Sequence, residues 1–84
     1  MMHTTLDRVR AVIADTMGTT PDKIDANAHL IDDIGCDSLD YVEITIGLEK
    51  EFAVHIPDRD VEHLHRVSEI VAAIDRLLAE RVPA

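Results

Sequence analysis

Two stripes of apolar residues at helical spacing, one towards each end of the chain, most constrain what it can fold into. They are Leu6, Val9, Val12, Ile13 and Met17, then Val67, Ile70, Val71, Ile74, Leu77 and Leu78. Residues three and four apart share a helix face, so each segment predicts an amphipathic helix with one side to bury. Thr4 or Thr5 can cap the start of the first, Asp7 suits its positive end, and Gly18 stops it. The last carries Ser68, Glu69, Asp75, Arg76 and Glu80 on its outer side and frays at Pro83. No segment alternates as a strand would, and there is no internal repeat or low-complexity stretch.

A further helix is predicted over about Ser38 to Phe52. At about 100° per residue, Asp40, Glu43, Gly47, Lys50 and Glu51 fall in one arc, while Tyr41, Val42, Ile44, Ile46, Leu48 and Phe52 take most of the rest. Such a helix is expected to be central and surrounded on most sides, showing one polar stripe bordered by Leu39 and Ile46. Pro57 then interrupts the pattern, and Asp58 is placed to cap a short helix over about Arg59 to His63. Residues Thr19 to Asp37 hold Pro21, Asn27, Asp32, Asp33 and Gly35 with no sustained period, so they read as a long loop. Ile24 and Leu30 would anchor it, with Ile31 and Ile34 as further apolar contacts. The expected fold is an all-α bundle of three main helices and one short one, a single domain over residues 1–84 with its helical core at about 5–80.

A chain of 84 residues can bury only about 60% of its surface, so it has one small core. With 46% hydrophobic but only 2% aromatic residues, that core is aliphatic, and Tyr41 and Phe52 are its only large rings. A core of this kind admits a flexible hydrocarbon more easily than an aromatic-locked one would. Seventeen acids against 8 bases leave a formal charge of −9, which disfavours nucleic acids and anionic membranes and favours basic partners. The single cysteine, Cys36, excludes an internal disulfide and fits a reducing compartment. No apolar run is long enough for a membrane span and no signal-peptide pattern opens the chain, so a cytoplasmic monomer is expected.

The tetrad Asp37-Ser38-Leu39-Asp40 puts a lone hydroxyl where the loop ends and the helix begins. Taken with Leu30-Ile31-Asp32-Asp33-Ile34-Gly35-Cys36 before it, and with the helix and Ile56-Pro57-Asp58 after it, the run resembles the acyl carrier proteins. The likeness extends over roughly residues 5 to 80. It implies that a phosphopantetheinyl transferase esterifies Ser38 with 4′-phosphopantetheine from coenzyme A, whose thiol holds acyl chains as thioesters. The chain would then deliver intermediates to enzymes of fatty-acid, lipid or polyketide-type biosynthesis and have no catalytic activity itself. Asp37 and Leu39 accompany Ser38 at this site, Asp37 orienting the transferase or its metal ion. An anionic phosphodiester on Ser38 would sit beside the unpaired N–H groups and positive dipole end of the helix.

The resemblance further implies an acidic surface that docks basic patches on synthases and acyltransferases. It would fall on Asp40, Glu43, Ile46, Glu49, Glu51 and Glu62, with Asp58 and Asp60 beside them. Lys50 and Arg59 lie in the same surface and, with His63 and His65, break the family's near-continuous run of acid, which suggests a carrier dedicated to a particular pathway. An acyl chain entering the bundle would gain about 0.8 kcal/mol per methylene. Val9, Ile31, Ile44, Ile46, Phe52, Ile56, Leu64 and Ile74 are the candidate lining.

Other chemistries fit less well. There is no Gly-x-Ser-x-Gly elbow and no histidine close to Ser38 in the sequence, so the serine reads as a substrate rather than a hydrolytic nucleophile. His63 and His65 would point about 200° apart on a helix, and Asp32, Asp33 and Asp37 lack calcium-loop spacing, so no metal is expected. Cys36 reads as a small semi-buried filler. A peptidyl or aryl carrier shares the bundle and the arm, but usually shows Gly-Gly-(His or Asp)-Ser where this chain has Gly35-Cys36-Asp37-Ser38. A helical interaction module that never receives the arm, with Asp37 or Ser38 a simple N-cap, is the remaining alternative. The charge excess repels itself whatever the function, so added salt or divalent cations should raise the melting temperature. A melting point that stays flat across a salt series contradicts this.

Overall fold

The computed structural model describes residues 4–80. In chain order they form α1 (Thr5–Met17), a 3₁₀ turn (Pro21–Lys23), α2 (Ser38–Phe52), α3 (Asp58–Val61) and α4 (Val67–Glu80). The α1 start is a reciprocal cap: the Thr4 hydroxyl accepts from the Asp7 N–H at 3.1 Å, and Asp7 accepts from the Thr4 N–H at 3.3 Å. Gly18 ends the helix with φ +69°, a left-handed conformation that suits glycine. The end at Pro83 expected from the sequence lies outside the described residues.

Helix α1 packs against both α2 and α4. Val9 and Ile13 of α1 meet Ile44, Leu48 and Phe52 of α2 and Val67, Ile70 and Ile74 of α4 in one buried cluster. No polar or charged residue is buried among the described residues. Each large aliphatic side chain moved from water into this core contributes about 1.5–3 kcal/mol. Polar clamps fix the helix ends. Arg8 donates to the Glu51 carboxylate at 2.8 Å and the Glu51 carbonyl at 2.9 Å, and its guanidinium lies 4.3 Å from the Phe52 ring centroid. Thr5 joins α1 to α4 through Asp75 at 2.7 Å, and Arg76 joins α4 to α3 through Asp60 at 2.9 Å.

The long loop is pinned where the sequence placed its anchors, with Ile24 and Leu30 almost fully buried. Its backbone is also tied to the start of α4, which periodicity could not foretell. The Leu30 N–H donates to the His65 carbonyl at 2.8 Å and the Val67 N–H to the Ala28 carbonyl at 3.1 Å. The imidazoles of His29 and His65 stack across this junction, 5.9 Å apart and 9° from parallel. His65 is thus engaged with the loop, not with His63.

Three expectations need correction. Helix α2 is not surrounded on most sides: only Ile44, Leu48 and Phe52 are buried, while Leu39 (65%), Val42 (53%) and Ile46 (45%) stand exposed. The wheel sorted residue types correctly, but the buried face is narrower than the apolar arc. Gly47 is not on the open polar side either, because it faces α1, and a Cβ built there meets Val12 Cγ1 at 2.9 Å. The short helix runs Asp58–Val61 rather than Arg59 to His63, with Pro57 at the N-cap and no side-chain cap from Asp58. Proline at that point leaves the next residue free to begin the turn, so Asp58 is inside it.

Gly47 permits the close α1–α2 approach. Gly47→Ala should cost about 1–3 kcal/mol of overpacking against Val12, which outweighs the ~0.5–1 kcal/mol that alanine gains over glycine in a helix. Urea titration should show the substitution destabilising in the natural background and neutral or better in Val12→Ala. Equal effects in both backgrounds would rule out the contact as the cause.

Candidate functional site

The segment before α2 is shaped by backbone bonds. Gly35 adopts φ +85°, its N–H donates to the Ile31 carbonyl at 3.2 Å, and the Cys36 N–H donates to the Leu30 carbonyl at 2.9 Å. Asp37 thereby enters in an extended conformation as the N-cap of α2. Its carboxylate accepts from the Asp40 N–H at 2.8 Å, and Asp40 accepts in return from the Asp37 N–H at 3.2 Å. This reciprocal pair satisfies the cap without Ser38.

Ser38 is the first residue of α2 and is exposed, and no hydrogen bond holds its side chain among the described residues. The N–H groups of Ser38 and Leu39 likewise have no partner among the described residues. They supply donors and the positive dipole end at the position of the hydroxyl. Beside it opens a surface pocket of about 440 Å³, lined by Ile31, Cys36, Asp37, Ser38 and Tyr41. An exposed, unbonded hydroxyl at a helix start, with unpaired donors and an open recess next to it, fits a bulky phosphodiester.

Cys36 is buried, with Sγ 3.7 Å from the Met17 sulfur. Burial pushes its thiol above the usual range, with the Asp40 and Asp37 carboxylates adding to the effect, so it is a poor nucleophile. Tyr41 reaches from α2 to the turn between α3 and α4, where its hydroxyl bonds the carbonyls of Val61 (3.0 Å) and Leu64. Burial, then Glu69 and Cys36, raise its phenol above the ordinary range, so the hydroxyl keeps its proton.

The residues expected to face partners divide into two groups. Asp40 belongs to the cap; Glu49 accepts from the Ile56 N–H at 2.8 Å and lies 3.1 Å from His55; Glu51 is paired with Arg8. Glu43, Ile46, Lys50, Arg59 and Glu62 are exposed, and no ion pair engages these charges among the described residues. Leu39 and Val42 share the exposed face with Ile46. Val42 is on the open side rather than the expected buried one, and its spacing of three residues from Leu39 and four from Ile46 is the signal that joins it to them.

The residues expected to line an acyl cavity also separate. Val9, Phe52, Ile56 and Ile74 lie in the packed core, while Ile31 and Ile46 differ from their expected interior positions, Ile31 being 55% exposed in the surface pocket and Ile46 45% exposed on the outer face of α2. Ile44 and Leu64 do line a narrow recess, of about 10 Å³, together with Leu30, Tyr41, Thr45, Leu48 and Ile70. Tyr41 is the residue that wheel reasoning missed, because its hydroxyl partners lie 20 and 23 residues away.

A family model described as "Phosphopantetheine attachment site" matches residues 7–74. Among curated relatives, "Acyl carrier protein" of Zymomonas mobilis is 40% identical over 74 residues, covering 88% of this chain and 95% of its own length. "Acyl carrier protein" of Akkermansia muciniphila is 39% identical over 71 residues, 84% of this chain and 89% of the relative. That of Bdellovibrio bacteriovorus is 41% identical over 69 residues, 82% and 88% respectively.

The cap geometry separates the two neighbouring polar side chains. Asp37→Ala should destabilise the fold by about 1 kcal/mol, within the range for losing an N-cap. Ser38→Ala should change it by no more than a few tenths, since the hydroxyl makes no hydrogen bond. Thermal or urea unfolding of the two variants checks this, and comparable losses would show that Ser38 shares the cap.

Proposed function

The chain belongs to the acyl carrier proteins, which are carriers rather than enzymes and bear a covalent 4′-phosphopantetheine, and on that premise we propose that Ser38 is its attachment residue. One observation carries the assignment: Asp37 takes the cap of α2, so Ser38 stands exposed and unbonded at the positive end of the helix. When bound, the group supplies a thiol that holds an acyl chain as a thioester. Within the protein, the Ser38 and Leu39 N–H groups are the donors that would meet its phosphate, and Asp37 and Asp40 fix the helix start through their reciprocal cap.

The docking face we propose is the open side of α2, where Leu39, Val42 and Ile46 form an apolar strip with Glu43 beside it. Exposed charge pairs are worth well under about 1 kcal/mol each, so they hasten encounter and leave release quick, as a shuttle needs. Asp40, Glu49 and Glu51 add to the field at longer range while serving the fold. Basic patches on synthases and acyltransferases of fatty-acid, lipid or polyketide-type biosynthesis are the complementary surfaces. Lys50, and Arg59 with Glu62 near α3, vary that surface, which favours a partner set of a dedicated pathway. The chain acts as a single carrier domain, and the lone buried Cys36 suits the cytoplasm.

Incubation with a phosphopantetheinyl transferase and coenzyme A should add the mass of one arm to the natural chain and none to Ser38→Ala. A gain retained by the variant would put the attachment elsewhere. No gain by the natural chain, with a transferase active on another carrier, would remove the carrier assignment.

A further inference from the structure

We propose that His29 is a positioning residue for the loading of Ser38, holding the loop that leads to the serine while its imidazole is neutral and releasing that loop when the ring takes up a proton. This rests on the attachment at Ser38 proposed above.

The loop before α2 is wound around this one residue. The His29 carbonyl accepts from the Asp33 N–H at 2.9 Å and the Ile34 N–H at 3.0 Å, and its own N–H donates to the Asp33 carboxylate at 2.7 Å. The ring closes the turn, because Nδ1 accepts from the Ile31 N–H at 3.2 Å and from the Asp32 N–H at 3.1 Å. An imidazole nitrogen that accepts carries no proton, so this arrangement belongs to the neutral ring with its hydrogen on Nε2. From the turn the Gly35 and Cys36 N–H groups reach back to the Ile31 and Leu30 carbonyls, and Asp37 and Ser38 follow. Ile31 also lines the pocket that contains Ser38, so a change in the turn reaches the site by two routes.

Acid reverses the role of Nδ1. Once protonated it is a donor, and the two amides lose their acceptor. The titratable and charged groups around the ring are Asp32 and Asp33 of its own loop and, from the start of α4, the stacked His65 with Arg66 and Glu69 beside it. The Asp32 carboxylate, 3.8 Å from Nδ1, is an acceptor at hand for an imidazolium. Protonation therefore exchanges two backbone bonds that shape the turn for one exposed ion pair, a weak bond in water. Charge on both stacked rings adds repulsion. The junction with α4 does not share this sensitivity, since its bonds from Leu30 to His65 and from Val67 to Ala28 are between backbone groups. The loss is confined to the turn, and Ser38 is presented less well on a bundle that stays folded.

The test loads the natural chain and His29→Asn in one mixture with coenzyme A and a phosphopantetheinyl transferase, so that the enzyme's own response to pH cancels in their ratio. Asparagine places Oδ1 the same number of bonds from Cα as Nδ1 and accepts at every pH used. Intact mass and peptide mapping should show equal loading at Ser38 at about pH 8. At about pH 5.5 the natural chain should fall roughly fivefold behind, the worth of one net hydrogen bond. His29→Ala, with no acceptor, should lag at both values, and His65→Phe, which keeps a ring for the stack, should respond to acid as the natural chain does. A ratio of natural chain to His29→Asn that stays constant across this range overturns the proposal, as does an acid response that His65→Phe abolishes. By NMR of the unloaded natural chain, the protection of the Ile31 and Asp32 amide hydrogens, relative to their intrinsic exchange rates, should fall as the His29 ring gains its proton. Protection that stays unchanged while the ring titrates overturns the proposal too, and this measurement decides if His29→Asn does not fold. Failure of the natural chain to load at Ser38 at about pH 8 counts against the attachment site alone, and the amide measurement still tests the turn.

Discussion

The first turn of α2 presents amide groups that no helical carbonyl can reach, and the site depends on Asp37 taking that duty. Had Ser38 been the cap, its hydroxyl would turn back onto the helix, and esterification would break the bond that starts it. With the cap one residue earlier, the serine is helical yet unengaged. Asp37 is in turn delivered by the loop, through the left-handed turn at Gly35 and the Cys36 bond to Leu30. Leu30 is buried and its own N–H is bonded to His65. The position of one surface hydroxyl is thus traceable to an anchor in the core and to the start of α4.

The same division of labour runs along the acidic residues. A sequence with a charge of −9 invites the view that every carboxylate on α2 awaits a partner. Three of them have internal tasks: Asp40 completes the cap, Glu49 holds the Ile56 amide, and Glu51 receives Arg8. They still contribute to the long-range field, since a paired carboxylate is only partly neutralised at a distance. On the docking face proposed above, the exposed strip of Leu39, Val42 and Ile46, with Glu43 and Lys50 beside it, carries no such internal task among the described residues. On that proposal, attraction and recognition draw on overlapping but unequal sets of side chains.

What was legible in the sequence follows from what is local. The spans of α1, α2 and α4 rest on apolar period and the stop at Gly18 on the residue itself, whereas Thr4 or Thr5, and Asp37 or Ser38, are equally able to cap by residue type, and the side-chain hydrogen bonds choose Thr4 and Asp37. Ile24 and Leu30 could be picked as anchors because they are isolated apolar residues in a polar loop. The rest is tertiary. Whether Leu39 and Val42 face water depends on how many neighbours α2 has, and the place of Gly47 depends on Val12 in another helix. The His29–His65 stack and the hydrogen bond from the Tyr41 hydroxyl to the Val61 carbonyl join positions tens of residues apart, where no spacing rule reaches. Helix α3 is a single turn after a proline, too short for a period to define its ends.

These tertiary contacts matter because the energies of admitting and excluding cargo nearly balance in so small a protein. Eight methylenes taken from water would gain roughly 6 kcal/mol at the usual increment. Admission must make room in a close-packed core, and displacing one large aliphatic side chain forfeits about 2–5 kcal/mol of packing. Leaving the Leu64 carbonyl unpaired adds about 1–3 kcal/mol. Small domains have only about 5–15 kcal/mol of stability in all, so neither side dominates by a wide margin. Under that balance a single tertiary contact, such as that of the Tyr41 hydroxyl with the α3–α4 turn, weighs as much as the composition of the core.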